Sequence, residues 1–215
     1  MAGQEIHETA ELNVLAKPKQ TGKFICIEGV DGSGKTTQAK RLVKNLQSQG
    51  YEAVYTTEPS EGKIGTLIRD FVLSRKDRIP IALEALLFAA DRVDHVQAIV
   101  DPLLKQGKIV VCDRYVCSSL AYQGAAGLDL DWMDCVNQFA LKPDLTVFLD
   151  VPPELGLARL RRKKSVMETV KNLKKVRDVY LNLVQKNRMI LLDGDKPVYK
   201  VAENVLKVVL KELKH

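Results

Sequence analysis

Residues 29–37 combine glycines, one lysine and two threonines at the spacing of a loop that could hold a phosphate chain. The stretch reads Gly-Val-Asp-Gly-Ser-Gly-Lys-Thr-Thr and matches the pattern G-x-x-x-x-G-K-[ST]. Glycines let backbone N–H groups face an anion, Lys35 can reach the β- and γ-phosphates of a nucleotide, and the Thr36 hydroxyl can bind Mg²⁺. The predicted nucleotide-binding loop consists of Gly29, Val30, Asp31, Gly32, Ser33, Gly34, Lys35, Thr36 and Thr37.

The elements around this loop follow the order that the motif requires. Residues 23–28 form an apolar run of strand type, and residues 38–46 carry apolar side chains at helical spacing. Along the whole chain, strand and helix patterns alternate, which favours a parallel sheet with helical crossovers. We predict strands near 24–28, 53–57, 108–113, 144–150 and 188–192, and helices near 35–49, 63–74, 80–105, 115–124, 129–140, 153–163, 166–186 and 197–213.

A second polar cluster begins where the third predicted strand ends. Asp113 lies where a second residue that organises Mg²⁺ belongs, and Arg114 beside it offers a planar cation for phosphates. A structural ion pair is the alternative for Arg114. The next predicted helix presents a polar stripe that could read hydrogen-bonding groups or could be a solvated face. The stripe consists of Ser118, Ser119, Tyr122 and Gln123.

A third cluster, Phe88 and Arg92, lies on one face of a predicted helix because the two residues are four apart. An aromatic ring beside a guanidinium suits a flat base, since the ring can stack and the guanidinium can donate to an exocyclic oxygen. The alternatives are that Phe88 belongs to the core and that Arg92 is an ordinary surface charge.

Composition predicts one cytoplasmic domain over 21–215, preceded by a flexible arm over 1–20. Of the four cysteines, Cys26 and Cys112 lie inside apolar strand runs, which is typical of buried free thiols in a reducing compartment. No apolar run approaches the ~18 residues of a membrane span, and no signal peptide is evident. The basic run over 159–177 could bind nucleic acid, form a solvated face or close over phosphates, and the loop at 29–37 favours the last.

Taken together, these motifs resemble the thymidylate kinase family. The matching segments are residues 24–38, 57–59 with 64–65 and 68–69, 87–92, and 113–115 through 121–124. The resemblance implies an α/β class: the three-layer α/β/α fold of P-loop NTPases, a five-stranded parallel sheet flanked by helices with a basic lid over about 159–175. It also implies transfer of the γ-phosphoryl group of ATP to dTMP with Mg²⁺, in a homodimer that binds neither nucleic acid nor membrane.

The resemblance also implies roles for individual residues. Phe88 would stack on thymine, Arg92 would bond its 4-oxo group, and Arg114 would hold the acceptor phosphate. Asp31 would face the acceptor sugar or the metal, and Thr36 and Asp113 would serve the metal. The expected substrate-binding residues are Asp31, Glu58, Pro59, Arg69, Phe88, Arg92, Arg114, Ser118, Ser119, Tyr122 and Gln123.

Some positions depart from the family pattern. Thr57 stands where the family usually has Arg, so we expect Arg69 or a lid residue to replace that cation. Some relatives carry an Arg inside the phosphate loop where this chain has Gly32-Ser33. The transition-state charge is therefore expected from Arg159 or Arg162, which join Lys35 and Arg114 as predicted catalytic residues. Met167 replaces an aromatic residue that usually crowds the sugar 2′ position.

Three other functions stay open at this point. Another nucleoside monophosphate kinase, of UMP/CMP or dGMP type, would share the fold and mechanism. A deoxynucleoside kinase would need a carboxylate base, for which Glu58 is the candidate. A nucleotide-dependent switch or nucleic-acid-binding ATPase would use the basic run. We expect no catalytic histidine, since an acceptor phosphate is already anionic and His7, His95 and His215 are isolated in the sequence.

Overall fold

The structure, a computed structural model, describes residues 22–75, 77–160 and 169–214. The arm predicted over 1–20 lies outside these ranges, as do residues 161–168 of the predicted lid, which include Arg162 and Met167.

A five-stranded parallel sheet forms the centre of the described chain. Its order is β2-β3-β1-β4-β5, and each neighbouring pair is parallel. Every residue of β3 is buried, as expected for a strand covered by helices on both faces. The strands are β1 Lys23–Glu28, β2 Ala53–Thr57, β3 Ile109–Asp113, β4 Leu145–Asp150 and β5 Ile190–Asp193.

The helices of the described chain cover both faces of this sheet. On one face α1 and α9 pack on the side chains of Ile25, Ile27 and Val111, and on the other α5 and α8 pack around Phe148. This arrangement confirms the predicted three-layer fold. The helices are α1 Lys35–Ser48, α2 Lys63–Leu67, α3 Ile81–His95, α4 Asp101–Lys105, α5 Val116–Ala125, α6 Leu130–Val136, α7 Pro153–Arg159, α8 Val170–Gln185 and α9 Val198–Glu212.

Two helical runs are less regular than the periodicity predicts. A π-helical segment, Ile68–Leu73, extends α2, and another, Val96–Val100, joins α3 to α4. Pro102 lies at the start of α4, where its ring and missing N–H disturb regular hydrogen bonding to the preceding turn. The helix predicted to end near 140 ends at Val136 instead, and the Asn137 side chain donates to the carbonyl of Met133 at 2.8 Å.

Register places the chemistry-bearing residues at one edge of the sheet. Asp113 of β3 pairs with Ile27 of β1 and with Thr57 of β2, so the carboxyl ends of these three strands are level. Cys26 and Cys112 pair farther down the strands, and both are buried free thiols as predicted. Burial raises the pKa of Cys112 to about 11, which leaves this thiol protonated.

Gly32 lies where the phosphate loop meets α7. Its φ of 78° falls in the left-handed region, and a Cβ atom at this position would overlap the carbonyl oxygen of Gly156. Gly50, at the end of α1, has a similar φ of 86°, but a Cβ atom there would have no neighbour within 4 Å. Alanine substitutions at Gly32 and Gly50 therefore distinguish the cost of backbone strain from the cost of steric overlap.

We expect Gly32→Ala to lower the free energy of unfolding by about 3 kcal/mol or more, because it adds backbone overlap to left-handed strain. Gly50→Ala carries the strain alone and should cost about 1–2 kcal/mol. Urea unfolding of the two variants measures the difference. Equal losses would contradict a tight contact between the loop and α7.

Candidate active site

The phosphate loop holds its lysine in a folded-back position. Lys35, at the start of α1, donates from Nζ to the carbonyl oxygen of Val30 at 3.1 Å and lies 3.9 Å from Oδ1 of Asp31. Burial, and secondly the nearby Arg114, lower the pKa of Lys35 to about 8, although Asp31 opposes this shift. A nucleotide phosphate would be a stronger partner for this ammonium group than a carbonyl oxygen.

Two oxygen donors suited to Mg²⁺ meet beside the loop. The Thr36 hydroxyl donates to Oδ2 of Asp113, and Oδ1 of Asp113 is buried with no hydrogen-bond partner among the described residues. Hydroxyl and carboxylate oxygens are hard ligands of the kind that Mg²⁺ takes. The described ranges contain no group of three or more acidic, histidine or cysteine side chains placed to hold a metal ion, so most other ligands would come from nucleotide phosphates and water.

Arg114 links the phosphate loop to α5. Its φ of 71° lies in the left-handed region, which costs a residue with a Cβ atom about 1–2 kcal/mol, so the surrounding contacts must impose this conformation. The backbone N–H donates to the carbonyl of Ile27 at 3.1 Å. The guanidinium donates to Oδ1 of Asp31 and, at 3.2 Å, to the Ser118 hydroxyl.

Glu28 anchors the start of α5, a role that the sequence analysis missed. Its buried carboxylate accepts from the backbone N–H groups of Tyr115 at 2.8 Å and Ser118 at 3.1 Å. It also accepts from the hydroxyls of Ser118 at 2.6 Å and Tyr180 at 2.9 Å. Burial raises the pKa of Glu28, although these hydrogen bonds oppose the shift. An acidic residue that ends a buried strand next to the loop was the available signal.

A cavity of about 320 Å³ opens beside Asp31 and Arg114. The segment after β2 contributes Glu58 and Pro59, and α3 contributes Phe88 and Arg92. The whole predicted polar stripe of α5 also lines this space: Ser118, Ser119, Tyr122 and Gln123. The structure thus brings nearly all the predicted substrate-binding residues together.

Arg92 lines the cavity and is only 1% exposed. Its guanidinium lies 2.7 Å from Glu58, donates to Ser119 at 3.1 Å and donates to the Asn137 side chain. It is therefore not an ordinary surface charge. His95 also contacts Glu58, at 3.2 Å, so this histidine, isolated in the sequence, belongs to a buried network in the structure.

Two predicted cations are engaged elsewhere. Arg69 donates to the carbonyl oxygens of Pro59 at 2.9 Å and Ser60 at 2.6 Å, so it supports the segment that follows β2. Arg159, at the end of α7, donates to Asp195 at 3.2 Å. The expected roles of these two side chains at the phosphates stay predictions, as does that of Arg162, which lies outside the described residues.

A phosphate loop and a neighbouring cavity lie at the same edge of a parallel α/β sheet. This arrangement defines a phosphotransferase of the phosphate-loop class. The family model described as Thymidylate kinase matches residues 27–205. The chain belongs to the thymidylate kinase family, which confirms the resemblance of its motifs.

Named relatives support the same family. The chain is 42% identical over 200 residues to the probable thymidylate kinase of Pyrococcus abyssi, covering 89% of this chain and 98% of the relative. It is 45% identical over 197 residues to that of Thermococcus kodakarensis, covering 86% and 96%. It is 42% identical over 192 residues to the probable thymidylate kinase of Methanocaldococcus jannaschii, covering 89% of this chain and 97% of the relative.

The position of Lys35 leads to a test of the loop. We expect Lys35→Ala to abolish phosphoryl transfer, because the ammonium group would lose its place on the β- and γ-phosphates, while the melting temperature changes little. Lys44→Ala, an exposed substitution on the same helix, is the matched control and should keep wild-type turnover. Turnover and melting curves of both variants decide the matter, and near-normal turnover of Lys35→Ala would argue against this site.

Proposed function

We propose that this site transfers the γ-phosphoryl group of ATP to the phosphate of dTMP, giving dTDP. One observation carries the proposal: Lys35 of the donor loop and Arg114 of the acceptor side both contact the same oxygen, Oδ1 of Asp31. Two cations that converge on one anionic oxygen mark the place where two phosphate groups would meet. Phosphorylation of dTMP with ATP as donor is also the activity of the family.

The chain's own groups would act mainly by positioning and by neutralising charge. The loop N–H groups and Lys35 would hold the β- and γ-phosphates of ATP, and Arg114 would orient the acceptor phosphate for in-line attack. Thr36 and Asp113 would hold Mg²⁺, which when bound neutralises charge on the phosphates. Because the acceptor phosphate is already ionised, the reaction needs no general base, and the buried His95 is tied to Glu58 and Thr56 instead.

The base would lie in the cavity between α3 and α5. Phe88 offers a ring for stacking, and Arg92 would donate to the 4-oxo group of thymine. The 4-amino group of cytosine also donates, so cytosine would place two donors against each other. A buried mismatch of this kind costs about 1–3 kcal/mol.

The substrate order follows from these contacts. With ATP we expect kcat/KM to be highest for dTMP, lower but measurable for dUMP, and lowest for dCMP. Loss of the 5-methyl group costs about 1–3 kcal/mol at most, and dCMP both lacks this methyl group and turns a donor toward Arg92, so its loss is the larger. A coupled assay with dTMP, dUMP, dCMP, UMP and dGMP measures the order. If dCMP or dGMP rivals dTMP, another nucleoside monophosphate kinase activity is the better description.

The remaining transition-state charge is assigned to the lid. Arg159 or Arg162 would supply it, because the loop has Gly32-Ser33 where an arginine could otherwise stand. Arg159 is partly exposed and pairs with the exposed Asp195. Exposed pairs of this kind contribute only about 0–1 kcal/mol, so Arg159 could leave Asp195 for a phosphate at little cost.

Phosphorylation of dTMP is a step of nucleotide synthesis, and we propose that the enzyme works in the cytoplasm. No helix in the described ranges is long and apolar enough to cross a bilayer.

We further propose a homodimer that packs through an apolar patch on α2, α3 and the π-helical segments that follow them. Side chains on this patch are strongly exposed, including Leu67 at 48%, Leu86 at 49% and Ile99 at 46%. Exposed apolar side chains on neighbouring helical segments are typical of an interface. The patch consists of Leu67, Phe71, Leu83, Leu86 and Ile99.

A charge in this patch should separate the subunits. We expect wild-type protein at micromolar concentration to sediment at twice the 24.0 kDa chain mass, and Leu86→Glu to sediment as a monomer, because the interface would bury an unpaired carboxylate. Leu191→Glu, at a similarly exposed apolar position on the edge strand β5, serves as control and should stay dimeric. A monomeric wild type would rule out the dimer at that concentration.

A further inference from the structure

Two polar contacts bridge α3 and α5 on either side of an aromatic ring. At one end Arg92 donates to the Ser119 hydroxyl at 3.1 Å, and at the other Gln123 donates from Nε2 to Oε1 of Glu84 at 2.7 Å. Glu84 and Arg92 are eight residues apart on α3, with Phe88 midway between them. All five side chains line the acceptor cavity, so a base stacked on Phe88 would lie between the two contacts.

The contact with Glu84 sets the orientation of the Gln123 amide. An ionised carboxylate can only accept hydrogen bonds, so Gln123 must turn its Nε2 group toward Glu84. The remaining amide atom, Oε1, is buried and has no hydrogen-bond partner among the described residues. A buried acceptor without a partner is energetically costly. A ligand that donates a hydrogen bond to this oxygen would remove that cost.

Arg78 holds the Glu84 carboxylate in place. Its guanidinium donates from Nε to Oε2 and from Nη2 to Oε1 of Glu84, both at 2.9 Å. A bidentate pair of this kind fixes the plane of the carboxylate. The side chain of Glu84 is fully buried, so solvent does not compete for these oxygens. Arg78, Glu84 and Gln123 thus form a chain of contacts that ends in a hydrogen-bond acceptor.

We infer that Glu84 is a specificity-determining positioning residue of the acceptor site. Through Gln123 it presents a carbonyl oxygen that accepts the N3–H group of thymine or uracil, beside Arg92, which donates to the 4-oxo group. Cytosine has an unprotonated N3, so the same oxygen would face a lone pair. This inference rests on the proposed function, and it adds a second point at which the cavity distinguishes thymine from cytosine.

Glu84→Gln tests the polarity with almost no change in shape. A glutamine at position 84 can donate, so Gln123 can turn its amide and offer Nε2 to the base. We expect the ratio of kcat/KM for dTMP to that for dCMP to fall by about tenfold or more, through a loss on dTMP together with a gain on dCMP. A variant that folds with the wild-type melting temperature and keeps the wild-type ratio would overturn the inference.

Arg78→Lys is the matched control. It breaks the bidentate pair from the other side but keeps a cation next to Glu84, so the carboxylate stays an acceptor. The ratio should stay within about threefold of the wild-type value, because the polarity of Gln123 is unchanged. If Arg78→Lys lowers the ratio as much as Glu84→Gln does, Glu84 serves as structural support and the inference is wrong.

A further variant covers the case in which Glu84→Gln does not fold. Gln123→Met keeps the length of the side chain and removes the acceptor, so the ratio should fall through a loss on dTMP alone; an unchanged ratio would overturn the inference. Wild-type turnover of dTMP reports on the proposed function, whereas only the change of ratio between variants reports on Glu84. The two ideas can therefore fail separately.

Discussion

The buried carboxylate of Glu28 is the constraint on which both halves of the site depend. Glu28 ends β1 and is followed directly by the phosphate loop. Its oxygens accept hydrogen bonds from the backbone N–H groups of Tyr115 and Ser118 at the start of α5 and from the hydroxyl of Tyr180 in α8. A buried carboxylate is tolerated only when donors of this kind satisfy it. The donor loop and the acceptor helix therefore cannot shift independently, and the distance between their cations is set by the fold.

The cations of the site are assembled before substrate arrives, and Asp31 makes that possible. Lys35 and Arg114 would repel each other across a partly dry site, and burial together with this repulsion lowers the pKa of Lys35. The carboxylate of Asp31 contacts both of them, and the Tyr122 hydroxyl donates to its other oxygen at 2.9 Å. Phosphates that replace Asp31 as the partner of Lys35 and Arg114 would find these cations already in position. Such preorganised charge is the usual source of electrostatic catalysis.

The proposed base-recognition site is built on rigid elements. The contacts that would read the base come from α3 and α5, two helices that cross-link each other through side chains, and not from loops. Arg92 is held by Glu58, Ser119 and Asn137, so its donors have defined directions. Side chains that are locked by neighbours lose little entropy when a ligand binds, and they discriminate more sharply than mobile ones.

Local patterns in the sequence determined the architecture and the donor loop. Buried parallel strands and crossover helices follow from short-range periodicity, and the glycine spacing at 29–36 encodes a backbone path, so neither needs knowledge of distant contacts. The four-residue spacing of Phe88 and Arg92 likewise placed both on one face of α3.

Only the tertiary structure decided the partners of individual side chains. Glu84 lies four residues before Phe88, yet nothing local indicates that it fixes the amide of Gln123, 39 residues away. Arg159 pairs with Asp195, 36 residues away, and His95 pairs with Glu58, 37 residues away. The physical reason is that crossovers bring distant segments to one edge of the sheet. Hydrogen-bond polarity there depends on which donors and acceptors meet, and a one-dimensional pattern does not contain that information.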